Sequence, residues 1–203
     1  MLSAMKNFNY ANITRIVFGK GQIAKLPSLI PSGKKVLLTY GGGSIKRNGV
    51  YNQVMDALKG YSVTEFSGIE ANPDFDTVVK AVDIVKKLGI DDTFLLAVGG
   101  GSVSDGTKFI AAASKYSKTS DPWDMVTSGG KGIESAVPMG CIMTLPAVLD
   151  GVSIDRVVGI GEQQRSRSLP QSASRALHLP FSLLGQVRIQ LTVPVPPVRH
   201  SGS

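Results

Sequence analysis

The chain contains little cysteine, little histidine and no long apolar run, and each shortage excludes a class of protein. Its single cysteine, Cys141, excludes a disulfide framework and a cysteine-based zinc site, and its apolar neighbours indicate an unreactive core thiol. The two histidines, His178 and His200, lack the spacing of a helical metal site. No apolar run approaches the ~20 residues of a membrane span, and residues 1–6 lack a signal-peptide core. We therefore expect a cytoplasmic protein that does not contact a membrane.

The chain is basic, but its positive charge is not concentrated in one place. The formal net charge is +7 over 203 residues, and the lysines are dispersed. A nucleic-acid interface would show a basic stripe with interleaved aromatic residues, and none is present, so we do not expect nucleic acid as a partner. Part of the charge would instead suit a ligand that carries phosphate.

The type of basic residue changes near residue 147. Residues 1–147 contain 14 Lys and 2 Arg, whereas residues 148–203 contain no Lys and 6 Arg. The later segment is also rich in serine and proline, and only residues 187–193 have a regular pattern. We expect a folded domain over 1–147 and an aberrant, poorly ordered tail over 148–203, such as an out-of-frame C-terminus. An arginine-rich tail that binds RNA or DNA is the alternative.

Strand-like and helix-like patterns alternate through the first 147 residues. Short apolar runs are separated by segments with helical spacing, and the runs lie at 14–19, 36–40, 63–66, 94–98 and 139–145. This alternation predicts an α/β fold, with a Rossmann-like parallel sheet and helices on both faces. Ligands of such sheets bind beyond the carboxyl ends of the strands, where two glycine turns are expected here, at 41–43 and 99–101.

The turn at 99–101 indicates a phosphate site. It joins a buried strand to a helix, so its backbone N–H groups would point out of a helix N-terminus. The residues that would bind a pyrophosphate are Gly100, Gly101 and Ser102, and Asp105 would lie near the nicotinamide and the substrate as the candidate catalytic residue. In the alternative interpretation, Ser102 is the helix N-cap, Asp105 returns a bond to that cap, and Lys108 is solvated.

The turn at 41–43 favours NADP over NAD. An NAD site usually has a carboxylate after the second strand, which bonds the ribose 2′-hydroxyl, but residues 36–51 contain no acid. The segment supplies space, a hydroxyl and two cations, Lys46 and Arg47, which suit a 2′-phosphate. The cofactor-binding candidates in this turn are Gly42, Gly43 and Ser44. The alternative is a flexible loop with two exposed cations.

Two further residues have both a functional and a structural interpretation. Thr144 ends the fifth apolar run, where its hydroxyl could contact the cofactor or simply close a strand. Trp123, in an Asp-Pro-Trp sequence that predicts a turn or helix start, is more often a packing residue than a binding platform.

The chain resembles the iron-containing (group III) alcohol dehydrogenases over residues 5–147, in particular their NADP-dependent aldehyde reductase and butanol dehydrogenase branch. The stretches that carry the resemblance are Phe-Asn-Tyr at 8–10, Thr-Arg-Ile-Val-Phe-Gly-Lys-Gly at 14–21, Leu-Thr-Tyr-Gly-Gly-Gly-Ser-Ile-Lys at 38–46, Gly-Ile-Glu-Ala-Asn-Pro at 68–73, residues 95–113, Asp-Pro-Trp at 121–123 and Pro-Met-Gly-Cys-Ile-Met-Thr-Leu-Pro-Ala at 138–147. The resemblance implies a dinucleotide-binding domain similar to that of dehydroquinate synthase. It also implies hydride transfer between a nicotinamide and an aldehyde or primary alcohol.

The resemblance ends before the C-terminal half, in which the family has its metal ligands. Residues 148–151 read Val-Leu-Asp-Gly in place of the family's Thr-Gly-Ser-Glu-type turn. The iron or zinc of full-length relatives is held by an Asp and three His in a helical C-terminal domain, and no position here matches them. We therefore expect that domain to be missing and the chain to be inactive or very weakly active. A non-catalytic nucleotide- or partner-binding module is the alternative, and a homodimer is an open alternative for the oligomeric state.

Overall fold

The computed structural model describes residues 15–144 and 188–192. Within these residues, six parallel strands form one sheet in the order β1-β6-β5-β4-β2-β3. The strands are β1 (Arg15–Phe18), β2 (Lys35–Tyr40), β3 (Val63–Phe66), β4 (Thr93–Gly99), β5 (Met139–Met143) and β6 (Arg188–Thr192). The α/β fold with a parallel sheet that the sequence predicts is confirmed.

Helices cover both faces of this sheet. They are a 3-10 helix (Gln22–Ser28), α1 (Ser44–Arg47), α2 (Val50–Ala57), α3 (Phe75–Leu88), α4 (Gly101–Lys115) and α5 (Trp123–Thr127). One core cluster contains residues of α3, α4 and α5, and the other contains residues of the 3-10 helix, α1 and α2. None of the helices in the described part of the chain has the length and apolar character needed to cross a membrane.

Strand β4 joins the two cores. All of its residues are buried, and alternate side chains enter opposite clusters: Leu95 packs with α3 and α4, whereas Phe94 and Leu96 pack on the other face. Burial of each large apolar side chain contributes about 1.5–3 kcal/mol. The strand that leads into the second glycine turn is therefore held from both sides.

Part of the segment predicted to be a poorly ordered tail is a strand. Arg188–Thr192 forms β6, which pairs with β1 on one side and β5 on the other. These five residues alternate polar and apolar types, a pattern that suits a strand, and the poor order expected for 148–203 stays a prediction. The rest of the tail, with both histidines, lies outside the described residues, and the domain boundary at 147 stays a prediction.

Candidate functional site

The two glycine turns lie side by side at the carboxyl edge of the sheet. Strands β2 and β4 are parallel neighbours, and their register places Tyr40 opposite Val98. The residues that follow, 41–43 and 99–101, therefore leave the sheet at adjacent positions. This is the placement that the sequence predicts for the carboxyl ends of two strands.

The second turn is tight because Gly99 has no side chain. A Cβ atom there would lie 2.8 Å from Cγ2 and 3.1 Å from Cβ of Val103, in the first turn of α4. At Gly101 the situation is the opposite, since a Cβ would meet no atom within 4 Å. The turn is thus packed against the protein at Gly99 and faces open space at Gly101.

Helix α4 begins two residues earlier than a cap at Ser102 would place it. Its N-cap is Gly100, in an extended conformation, and no side chain caps this helix end within the described residues. The first helical bond runs from the Ser104 N–H to the Gly100 carbonyl (3.2 Å), so the N–H groups of Gly101, Ser102 and Val103 precede the helical ladder. Such groups, at the positive end of the helix dipole, suit a phosphate.

The interpretation of Ser102 as the N-cap, with Asp105 returning a bond to it, is therefore wrong. Ser102 lies inside the helix, and its Oγ accepts a hydrogen bond from the Asn72 N–H at 3.4 Å. The carboxylate of Asp105 accepts from Nζ of Lys108 at 3.2 Å, and both side chains are largely buried. Lys108 is accordingly not a solvated residue. Gly100 takes the cap position with φ −87° and ψ −170°, the extended backbone typical of an N-cap.

The first turn shows the same contrast between packed and open positions. A Cβ at Gly41 would lie 2.9 Å from the carbonyl oxygen of Ile69, whereas a Cβ at Gly42 or Gly43 would meet nothing within 4 Å. Gly43 has φ +91°, a left-handed conformation that favours glycine, and directly precedes Ser44, the first residue of α1. Open backbone at both turns fits the close approach of a dinucleotide.

The loop between β3 and α3, residues 67–74, joins the two turns. The N–H groups of Gly68 and Ile69 donate to the carbonyls of Gly41 and Tyr40, each at 3.3 Å. Further along, the Asn72 N–H donates to Ser102, and Asn72 has φ +58°, a left-handed conformation uncommon outside glycine. The loop therefore contacts both the first turn and the start of α4, directly after the second turn. Sequence reasoning missed this connection, although the Asn-Pro pair marks an irregular backbone.

A carboxylate from the neighbouring strand lies beside the first turn. Glu65 of β3 accepts hydrogen bonds from the Tyr40 hydroxyl on Oε2 and from the Tyr51 hydroxyl on Oε1, both at 2.7 Å. Nζ of Lys46 lies 4.0 Å from Oε2, and 5.1 and 4.7 Å from the ring centres of Tyr40 and Tyr51. The hydrogen bond from Tyr51 is the main reason that the pKa of Glu65 is lowered. Lys46 is exposed to solvent, but its ammonium lies close to Glu65 and to the faces of both rings.

Three other residues named from the sequence have defined environments. Thr144 is buried, and its N–H donates to the Gly99 carbonyl at 3.0 Å, which places it beside the second turn. Cys141 is partly buried, with Sγ 3.1 Å from Oγ of Ser104. Trp123 packs edge-on against Phe75 at 5.0 Å, in agreement with a packing role.

A metal does not fit the part of the chain that the structure describes. Within residues 15–144 and 188–192, no group of three His, Cys, Asp or Glu side chains is close enough to hold an ion. The described residues bring the two glycine turns together as a candidate dinucleotide site.

The sheet is that of an oxidoreductase family whose named relatives use NADPH or NADH. The family model for the iron-containing alcohol dehydrogenases matches residues 13–167, beyond the predicted boundary at 147, and the chain belongs to that family. It is similar to the NADPH-dependent aldehyde reductase YqhD of Escherichia coli, with 59% identity over 143 residues, which are 70% of this chain and 36% of the relative. It is also similar to the probable NADH-dependent butanol dehydrogenase 1 of Bacillus subtilis, with 51% identity over 146 residues, 70% of this chain and 36% of that protein.

Solved structures agree with this assignment. The substrate- and cofactor-free form of the aldehyde reductase YqhD from E. coli superposes with a TM-score of 0.71 and 46% identity, covering 92% of this chain and 44% of that one. An NADH-dependent butanol dehydrogenase A from Thermotoga maritima gives a TM-score of 0.62 at 43% identity, over 70% of this chain and 35% of that one. The chain spans little more than a third of the length of the curated relatives named here. The relatives include both NADPH- and NADH-dependent proteins.

Proposed function

We propose that this chain is the NADP-binding portion of an iron-containing alcohol dehydrogenase that interconverts aldehydes and primary alcohols. The observation that carries the proposal is the pair of adjacent glycine turns, whose backbone is open at Gly42, Gly43 and Gly101. Both turns lie at the carboxyl edge of a parallel sheet, where such folds bind their ligands. A cytoplasmic location is part of the proposal.

The second turn would bind the pyrophosphate. Gly100 caps α4 without a side chain, so the N–H groups of Gly101 and Ser102 are available to phosphate oxygens. Thr144, tied to the Gly99 carbonyl, would contact the cofactor from the end of β5. Asp105, one helical turn further into α4 and restrained by Lys108, would face the nicotinamide and substrate.

The first turn would bind the adenine ribose and its 2′-phosphate. Its backbone leaves space at Gly42 and Gly43, and the Ser44 hydroxyl with the cations Lys46 and Arg47 provides polar and positive groups. The 59% identical relative is named as NADPH-dependent, which supports NADP, although relatives named as NADH-dependent are also close.

Hydride transfer would be supplied by the bound nicotinamide, while these residues bind and orient it. In full-length relatives an Asp and three His would hold a divalent metal, iron or zinc, and that metal would polarise the substrate oxygen. The 203 residues contain two histidines, so they cannot provide that ligand set. We therefore propose that this chain alone binds the dinucleotide with little or no turnover of an aldehyde or alcohol.

Isothermal titration of the 203-residue chain with NADP⁺ tests this function, alongside an assay of NADPH oxidation with butanal. We expect saturable binding of NADP⁺ and negligible oxidation. The variant Gly101→Leu should fold, because a Cβ there meets nothing within 4 Å, yet its side chain would fill the space required by the cofactor. We expect NADP⁺ affinity to fall at least about tenfold, a loss of about 1.4 kcal/mol.

The matched control is Asn52→Leu, which introduces the same side chain at an exposed position in the first turn of α2. It should bind NADP⁺ like the unsubstituted chain. Equal affinity in Gly101→Leu and Asn52→Leu would contradict the placement of the pyrophosphate, and full turnover by the chain alone would contradict the proposed inactivity.

A further inference from the structure

We propose that Glu65 is a specificity-determining residue of the cofactor site: its carboxylate opposes a 2′-phosphate, and Lys46 with two tyrosine hydroxyls offsets that opposition. The inference rests on the proposed function, because it concerns which dinucleotide the first glycine turn prefers. It is carried by the geometry of four side chains around that turn: Tyr40, Lys46, Tyr51 and Glu65.

The fold places an acidic side chain, Glu65 of β3, beside the first glycine turn. The stretch 36–51 contains none, which on sequence alone removes the carboxylate that usually selects NAD. The neighbouring strand β3 supplies a carboxylate, because its pairing with β2 sets Glu65 opposite Leu38. Its carboxylate reaches the hydroxyl of Tyr40, the residue that directly precedes the glycine turn. The site therefore has a negative charge that the local sequence does not show.

Two tyrosine hydroxyls bind the carboxylate of Glu65. Each carboxylate oxygen accepts one tyrosine hydroxyl at 2.7 Å, so about half of the lone-pair sites of the carboxylate are used by donors from within the protein. These bonds favour the ionised form, in keeping with the lowered pKa of Glu65. The carboxylate thus remains a full negative charge beside the turn, engaged by donors from within the protein.

The positive charge that faces Glu65 is the ammonium of Lys46. Lys46 lies two residues into α1, which begins at the turn, and its ammonium sits 4.0 Å from Glu65 and against the faces of both tyrosine rings. Its side chain is still 50% exposed, so it can act on a ligand while it is held in place. Because a 2′-phosphate carries charge and a 2′-hydroxyl does not, Glu65 and Lys46 should act on NADP⁺ and hardly on NAD⁺.

The test is the ratio of NADP⁺ to NAD⁺ affinity, measured by isothermal titration of the full 203-residue chain. Removal of the negative charge in Glu65→Gln should raise this ratio by about tenfold, and removal of the positive charge in Lys46→Gln should lower it by a similar factor. Both changes should shrink as salt is raised from about 0.05 M to 1 M, because exposed charges are screened. A structural disturbance alone would change NADP⁺ and NAD⁺ binding together.

Two controls carry the same charge changes at a distant ion pair. Asp56 and Lys59 are both highly exposed and pair with each other at 2.9 Å near the end of α2. Asp56→Asn and Lys59→Gln should leave the ratio unchanged. Matching shifts in these controls would mean that net charge, not the four-residue cluster, sets the preference, and would overturn the inference.

A third variant keeps the inference testable if Glu65→Gln does not fold. Tyr51→Phe removes one donor from the carboxylate and leaves the charge in place, so Oε1 of Glu65 loses its partner and gains an acceptor site for a ribose hydroxyl. We expect the affinity for NAD⁺ to rise about threefold relative to that for NADP⁺. This factor is what one solvent-exposed hydrogen bond to a charged group should contribute. An unchanged ratio in all three variants overturns the role of Glu65, whereas an unsubstituted chain that binds neither dinucleotide refutes the proposed function itself.

Discussion

Gly41 and Gly42 are adjacent glycines for which the structure predicts opposite responses to alanine. A Cβ at Gly41 would lie 2.9 Å from the carbonyl oxygen of Ile69, closer than such atoms approach in proteins. A Cβ at Gly42 would meet nothing within 4 Å, and neither residue has the left-handed backbone that resists a side chain. The same substitution therefore tests packing at one position and its absence at the next.

The magnitude follows from what the methyl group would displace. Ile69 belongs to the loop that connects the two glycine turns, and moving it would weaken the bonds from Gly68 and Ile69 to the carbonyls of Gly41 and Tyr40. Overpacking costs about 1–3 kcal/mol and each bond about 0.5–1.5 kcal/mol, so Gly41→Ala should lower the free energy of unfolding by about 2–3 kcal/mol. Gly42→Ala should be neutral or gain up to about 1 kcal/mol, because alanine restricts the unfolded chain.

Urea denaturation followed by the fluorescence of Trp123 measures both values, since this residue is packed against Phe75 in the folded state. The expected result is a lower midpoint for Gly41→Ala alone. Equal midpoints for the two variants would refute the close contact with Ile69 and, with it, the argument that the loop is pressed against the first turn.

Two further predictions concern groups around the same sheet edge. The buried hydroxyls of Thr39 and Thr107 lie 2.6 Å apart, and Thr107 also donates to the Val103 carbonyl, so Thr39→Val should cost about 1–3 kcal/mol in urea denaturation, whereas exposed Thr127→Val should cost under about 0.5 kcal/mol. Equal costs would contradict the pairing. Because folding lowers the pKa of Glu65, its contribution to stability is present above its usual value of 4.5 and is lost as pH falls through the lower folded value. As pH is lowered from about 6 to about 3, the denaturation midpoint should therefore fall less steeply in Glu65→Gln than in the unsubstituted chain. Parallel profiles for the two proteins would contradict this linkage.

The strands and glycine turns could be predicted because their signals are local. The buried run that becomes β4 and the glycines that follow it are contiguous, and the predicted span 63–66 of β3 matches the structure. The cap of α4 was misplaced because Ser102 is a favourable cap residue by type, while an extended glycine at position 100 took that role. Residue preference gives way there to the geometry of a tight strand-to-helix turn.

The rest depended on contacts between distant segments, which periodicity does not report. Glu65 looks like an ordinary strand residue until the pairing of β2 with β3 sets it beside Tyr40. The hydrogen bond from the Asn72 N–H to Ser102 likewise joins the loop before α3 to the first turn of α4, 30 residues further along the chain. Strand β6 was missed because its alternating pattern, though visible, lies within a segment whose composition indicates disorder.

The most direct test of the central claim is an isothermal titration of the 203-residue chain with NADP⁺ and, separately, with NAD⁺. Two open glycine turns at one sheet edge predict saturable binding of one dinucleotide per chain, tighter for NADP⁺, and weakened in Gly101→Leu. Heats no greater than dilution for both dinucleotides, or tighter binding of NAD⁺, would contradict it.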